Sequence, residues 1–337
     1  MRRTARIAAI VALLMTGWAG AQADETSLLF ATTEPAGSDD TMKVFSPWVQ
    51  RIAESTNNAV KIDLREGIAI ANASNIYDRV QSDVMQIGIL IPSLIGGKFP
   101  LTDVSGLPFL TEDSVNASAA FWRLYKTGAL DTEYKDIAPL GFGLFPPQDV
   151  MLSKTPATLD NLQGLRIRVV GKLSSELVER LGGTPLVLDP SDQYTALERH
   201  TIDGVISSWM SMAPLHLIDV TNYHIETSLG TAMFIVFMAK PKFDSLPASV
   251  KQALLANSGE SLSRAIGTGF EGRATASKAI AVANPTKHTI VQLSAAQSAK
   301  WSQAITPTID AWTASHPGGA ELLASYRRIL ADVKAGK

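Results

Sequence analysis

The stretch 161–209 constrains the fold more than any other part of this 337-residue chain. It reads NLQGLRIRVVG, then LGGTPLVLDPSDQYTALERH, then TIDGVISSW. Apolar alternation predicts a strand at 166–170. The helical spacing at 174–181 ends at Gly182-Gly183, a pair suited to the left-handed turn that closes a helix. A strand at 185–188, a helix at 191–199 capped by Ser191 or Asp192, and a strand at 204–207 complete the run. Strands separated by helices return parallel and are covered on both faces, so the stretch predicts an α/β fold with a parallel sheet.

The first ninety residues repeat the alternation. Strands are expected at 27–32, 60–64 and 85–91, with helices at 42–56 and 74–82. Met42, Phe45, Val49 and Ile52 give the first helix its apolar stripe. A helix at 114–127 and a strand at 138–144 follow, and Pro146-Pro147 marks the first passage between two lobes. The apolar run 233–238 has the length of a buried strand. The pattern from 247 to 283 is helical, and Gly259, Gly267, Gly269 and Gly272 predict a kink or break. A strand at 290–293 and helices at 295–316 and 320–334 end the chain. The length favours two lobes, taken as 24–146 with 233–273 and 147–232 with 274–337. One long helix in the C-terminal half is expected to cross both.

Residues 1–23 stand apart from the fold. Arg2, Arg3 and Arg6 precede an apolar run that is short for a membrane span, and Ala21-Gln22-Ala23 suits a cleavage site, the pattern of a secretory signal peptide. The chain contains no cysteine, so neither a disulfide framework nor thiol chemistry is available. A net charge of −2 without a basic stripe argues against nucleic acid as a partner. The five histidines are not spaced as zinc ligands, and no nucleophile elbow, phosphate loop or dinucleotide fingerprint occurs. Catalytic residues, a metal and a cofactor are therefore not expected, and an enzyme is the remote alternative.

Arg168 is the exception to this quiet chemistry. It alternates with Ile167 and Val169, near the carboxyl end of its strand, where open α/β sheets gather ligands. A guanidinium matches a carboxylate through two parallel hydrogen bonds. The residues alone leave two readings open: a ligand clamp, or an ion pair with a structural Asp or Glu.

The run 162–169, LQGLRIRV, resembles the signature of the substrate-binding subunits of TRAP transporters, the DctP family. Gly183, Pro185, Tyr194-Thr195-Ala196-Leu197 and Ile202-Asp203-Gly204 continue the similarity, and Leu107-Pro108-Phe109-Leu110 precedes it. The resemblance covers essentially the whole mature chain. It implies a two-lobed periplasmic binding protein, a clam-shell with an interlobe cleft. Such a receptor binds a small organic acid and delivers it to the small and large integral membrane subunits for ion-coupled uptake. It also implies a monomer, and it gives Arg168 the substrate carboxylate and leaves Arg166 on solvated surface.

The departures from the pattern bear on the cargo. Val170 stands where a proline is usual. Gln148 occupies the place of a second arginine. Ser207 and Ser208, followed by Trp209, stand near a position that commonly supplies an asparagine. Ser93 in the loop after the third strand and Glu34 after the first complete the candidate substrate-binding set. One cationic anchor among apolar walls suits a monocarboxylate with an apolar or aromatic body, such as a 2-oxo, hydroxy or aromatic acid. A sugar acid would leave buried hydroxyls unpaired. The same fold also serves ligand sensors that feed a signalling receptor, which is the alternative function.

Overall fold

The computed structural model describes residues 26–33, 37–38 and 41–337. The signal-peptide segment 1–23 and Glu34 lie outside the described residues. Eleven strands among the described residues form two sheets. The first lobe contains β1 (Thr26–Ala31), β2 (Val60–Arg65), β3 (Gly88–Leu90), β4 (Ile137–Leu144) and β10 (Met233–Ala239). β1 pairs parallel with β2, and a parallel bridge from Phe30 to Ile87 joins them to β3. β10 lies antiparallel between β3 and β4. The second lobe contains β5 (Asp149–Leu152), β6 (Arg166–Val169), β7 (Thr184–Val187), β8 (Gly204–Ser207), β9 (Tyr223–Glu226) and β11 (Thr289–Gln292), in the spatial order β11-β9-β5-β8-β6-β7. Only β5 runs against its neighbours. The expected α/β class and two-lobed architecture are present.

The pairing directions show where the lobes meet. β10 starts beside the carboxyl ends of β3 and β4, and β5 starts beside the carboxyl ends of β8 and β9. The chain passes between the lobes at 145–148 and 227–232, so each crossing joins one carboxyl edge to the other. The two carboxyl edges therefore face one another across the interlobe space, the position where open sheets leave room for ligands.

A third connection is the helix Glu260–Ala283, which packs on Ser114–Lys126 and β4 in the first lobe and on Trp209–Met212 in the second. It follows Ala248–Ala256 after a break at Gly259, where φ is 76°. It then runs unbroken through Gly267, Gly269 and Gly272, where the sequence predicted a kink. Gly267 has a packing reason. A Cβ there would sit 2.7 Å from Ser114 O and from Val115 Cα, so the absent side chain lets two helices approach closely. Near the same crossing, Phe145, Phe234 and Phe270 form a ring cluster with centroid distances of 5.1–6.1 Å.

The last helix, Gly319–Lys334, buries Leu322, Leu323 and Tyr326 in the first lobe's core, with Tyr326 edge-on to Phe121. Its apolar face thus lies against the lobe opposite to the one the sequence assigned. Tyr223 and His224 form part of β9, with His224 fully buried.

Two glycines on the crossing helix predict opposite outcomes. Gly267→Ala should destabilise by about 1–3 kcal/mol, because the Cβ collides with backbone. Gly272→Ala, exposed and with nothing within 4 Å of its Cβ, should stabilise by about 0.5–1 kcal/mol. Urea denaturation of the two variants measures both signs.

Candidate functional site

The carboxyl edge of the second sheet is built by alternation. Ile167 and Val169 point into one core with Val150, Leu152 and Ile206. Arg168 takes the opposite face, paired in register with Val205 of β8 and Leu186 of β7. Val205 and Met151 belong to the core on that side. Ser207 is two residues beyond Val205, so it shares the face of Arg168 and lies one strand away at the edge.

Arg168 is only 3% exposed. Its Nε and Nη2 donate to the carbonyl oxygen of Leu188 at 3.0 and 2.9 Å, and it forms no ion pair among the described residues. Burial lowers its pKa to about 10, with Asp189 opposing the shift. The cation stays charged but has traded water for a single carbonyl. Ser208 Oγ and Gln193 Oε1 are buried without a hydrogen-bond partner among the described residues. Unpaired polar groups are uncommon in native interiors.

The other arginine of the strand has a structural task. Arg166 was expected on solvated surface; it is exposed but held by Asp203. Its Nε lies 3.0 Å from Asp203 Oδ2, its backbone N–H donates to the same oxygen at 2.9 Å, and Nη2 donates to His200 O. Lys154 joins from β5's far end at 2.7 Å. These donors hold the Asp203 carboxyl well below the usual range despite the cost of burial. The Asp203-Gly204 motif therefore fixes the start of β8, at the sheet edge away from the cleft.

Gln148 and Ser93 meet in a different place from Arg168. Both line an interlobe cavity of about 490 Å³, bounded by Thr102 and Asp103 in one lobe and Lys172 and Ser174 in the other. Ser93 O lies 3.0 Å from where a Cβ on Gly171 would be, so the lobes touch at that point. Ser74 Oγ also bonds Asp189 Oδ2 across the lobes at 3.4 Å. Trp209 lines a second cavity, and its indole N–H donates to Glu226 Oε1 at 3.1 Å. Neither of these two cavities includes Arg168. The structure thus brings Arg168 together with Ser207, and Gln148 with Ser93, while Trp209 stands with Glu226.

Sequence reasoning missed Leu188, Gln193, Gly171 and Asp149. A carbonyl acceptor leaves no trace in side-chain identity. Asp149, however, is a carboxylate next to a predicted lobe passage, and that was a visible signal. It is 6% exposed, and its Oδ1 accepts from Thr227 N at 2.7 Å and Ser228 N at 3.3 Å. It thereby ties the first crossing to the second. Burial, reinforced by Glu226, pushes its pKa up to about 7 against the two amides and Lys278.

Two α/β lobes joined by crossings at facing carboxyl edges define a two-lobed solute-binding protein. The model of the bacterial extracellular solute-binding protein family 7, DctP, matches residues 30–315, and the chain belongs to that family. It is similar in structure to a TRAP solute-binding protein from Rhodoferax ferrireducens solved with copurified benzoate. That match has a TM-score of 0.85 at 23% identity, over 92% of this chain and 99% of the other. A Bordetella bronchiseptica TRAP periplasmic protein with bound mandelate matches at TM-score 0.83 and 21% identity, over 93% and 100%. A Comamonas testosteroni protein named outer membrane transporter protein TsaT is 24% identical over 270 residues, 78% of each chain. The chain is a solute-binding receptor of the TRAP type, and its relatives work outside the cytoplasm.

Asp149 supplies a pH prediction. Its folded-state pKa lies above the ordinary aspartate value near 4, so ionising it opposes folding. The stability it contributes is fully present at low pH and is lost as pH rises from about 4 through 7. Asp149→Asn keeps an oxygen for the two amides and cannot ionise. The variant should melt above wild type at pH 8, with the gap closing toward pH 4 in a pH series of thermal melts. A gap independent of pH would contradict this assignment.

Proposed function

We propose that this protein is a periplasmic receptor for a small organic monocarboxylate with an apolar or aromatic body, which it delivers to TRAP membrane subunits. The carrying observation is Arg168: a buried guanidinium at the cleft edge of a sheet, bonded to one carbonyl and, among the described residues, to no carboxylate. A ligand carboxylate supplies the missing counter-charge through paired N–H donors. Ser207 and Ser208 offer hydroxyls at the same edge, and Gln148 and Ser93 border the cleft from the crossing and from the opposite lobe.

Similar folds support the apolar cargo. The structures at TM-score 0.83–0.85 hold benzoate, 3-hydroxybenzoate, metahydroxyphenylacetate or mandelate. Two with bound galacturonate or glucuronate stand at 0.77. The lobes rotate about the crossings at 145–148 and 227–232, and the ligand stabilises the closed arrangement by touching both lobes. Ligand binding and release, with no bond made or broken, is the whole of the activity.

Calorimetry with benzoate, mandelate and glucuronate tests this reading. Benzoate or mandelate should bind and glucuronate should not; binding of glucuronate alone would reject the cargo class. Arg168→Ala should weaken carboxylate binding by about 2–5 kcal/mol, as when one partner of a buried charge pair is truncated. Wild-type affinity in that variant would remove the basis of the reading.

A further inference from the structure

The cavity that Trp209 lines belongs to a different part of the molecule from the carboxylate site. Its volume is about 550 Å³, within the range of small-molecule pockets. It is walled by both lobe crossings, through 146–149 and 226–229, by the crossing helix, and by the start of Ala295–Ser315. Successive side chains of an extended segment point to opposite sides. Gln148 accordingly lines the interlobe cavity and its neighbour Asp149 lines this one.

The charges lining it are three carboxylates, Asp149, Glu226 and Glu271, and one ammonium, Lys278. Lys278 is engaged by Glu226, which also accepts from Trp209. Glu271 uses Oε1 for the backbone N–H of Ser114 at 2.7 Å. Asp149 uses Oδ1 for two backbone amides. Its Oδ2 accepts no hydrogen bond among the described residues, although the side chain is more than nine-tenths buried. A carboxylate oxygen without a donor, on a buried side chain that lines the cavity, suits a cation.

The walls select among cations. No three acidic or histidine side chains among the described residues converge to hold a metal ion. The aromatic residues Trp209, Trp301 and Phe109 border the space instead. Phe109 and Ser228 both sit in the left-handed region, at φ 64° and 53°, a backbone strain that tends to gather at functional sites. Carboxylate oxygens beside aromatic surface suit an organic ammonium ion, whose charge pairs with the carboxylate while its body displaces water from rings.

We propose that this cavity behind the lobe crossings is a second ligand site, which takes a small organic ammonium ion on Asp149 Oδ2 and Glu271. The site is separate in position from Arg168 and from the interlobe cavity. Its occupant touches both segments that move when the lobes rotate, so it biases their arrangement. The ammonium ion requires ionised Asp149. The charged groups that act on Asp149 are Glu226 on β9 and Lys278 on the crossing helix, and Glu271 lines the same cavity. Binding therefore strengthens as pH rises from 6 to 8, with release of a proton from Asp149.

Isothermal titration of the mature protein with 2-phenylethylammonium chloride tests the site. Saturable one-to-one binding is expected at pH 8, weaker at pH 6. Asp149→Asn should weaken it by about tenfold or more, the scale of a lost charge-assisted bond. Glu271→Gln, which keeps an acceptor for Ser114, should weaken it severalfold and serves if the first variant does not fold. Absence of saturable binding would overturn the proposal, as would binding that both substitutions leave unchanged.

Discussion

A buried guanidinium that no carboxylate among the described residues pairs with is the constraint on which the rest of this molecule turns. Removing an ion from water costs several kcal/mol even after the protein relaxes. One carbonyl, Leu188 O, returns part of that through two N–H bonds. The segment that carries this carbonyl also carries Asp189, which favours the cation. It leads as well into Gln193, whose Nε2 is tied back to Pro190 O. β6 is flanked by β7 and β8, so the strand cannot twist the side chain out to solvent without breaking the sheet. The guanidinium is thus fixed in charge and position, as the proposed carboxylate clamp requires.

The crossings divide the space around that site. At 148–149 two adjacent side chains part company, Gln148 to the interlobe cavity and Asp149 to the cavity behind. Asp149 binds the second crossing through backbone amides, so the two strands of the hinge move as a pair. The ring cluster of Phe145, Phe234 and Phe270 packs the same junction from the side of the long helix.

Much of the fold was legible because periodicity reports burial directly. The alternation in 166–207 predicted β6, β7 and β8 and their parallel pairing, and the apolar run 233–238 predicted β10. The long helix was legible in extent and in its break at Gly259, but Gly267, Gly269 and Gly272 read the same way. A glycine used for close helix contact is indistinguishable in sequence from one that weakens a helix, and only Ser114 and Val115, more than 150 residues away, make the difference for Gly267. The lobe served by Gly319–Lys334 was likewise hidden, because amphipathicity says that a face is buried and not against what.

The site was legible where a residue type dictates chemistry. Arg168 stood out because a charged side chain on an apolar strand needs a partner, and Ser207 was named from its place near the asparagine of the family pattern. Gln148, Ser93 and Trp209 were placed near the cleft by chain position, which does not fix the side on which a side chain emerges. Asp149 and Leu188 act through backbone partners from distant segments, and nothing in local sequence reveals such bonds. Arg166 looked expendable because its partner, Asp203, lies a full strand-helix-strand unit away.

The most direct test of the central claim is a crystal structure of the protein with a bound aromatic carboxylate. The account predicts both carboxylate oxygens within hydrogen-bonding distance of the Arg168 guanidinium, with the bonds to Leu188 O retained. A carboxylate seated elsewhere, with Arg168 still bonded only to Leu188 O, would contradict it.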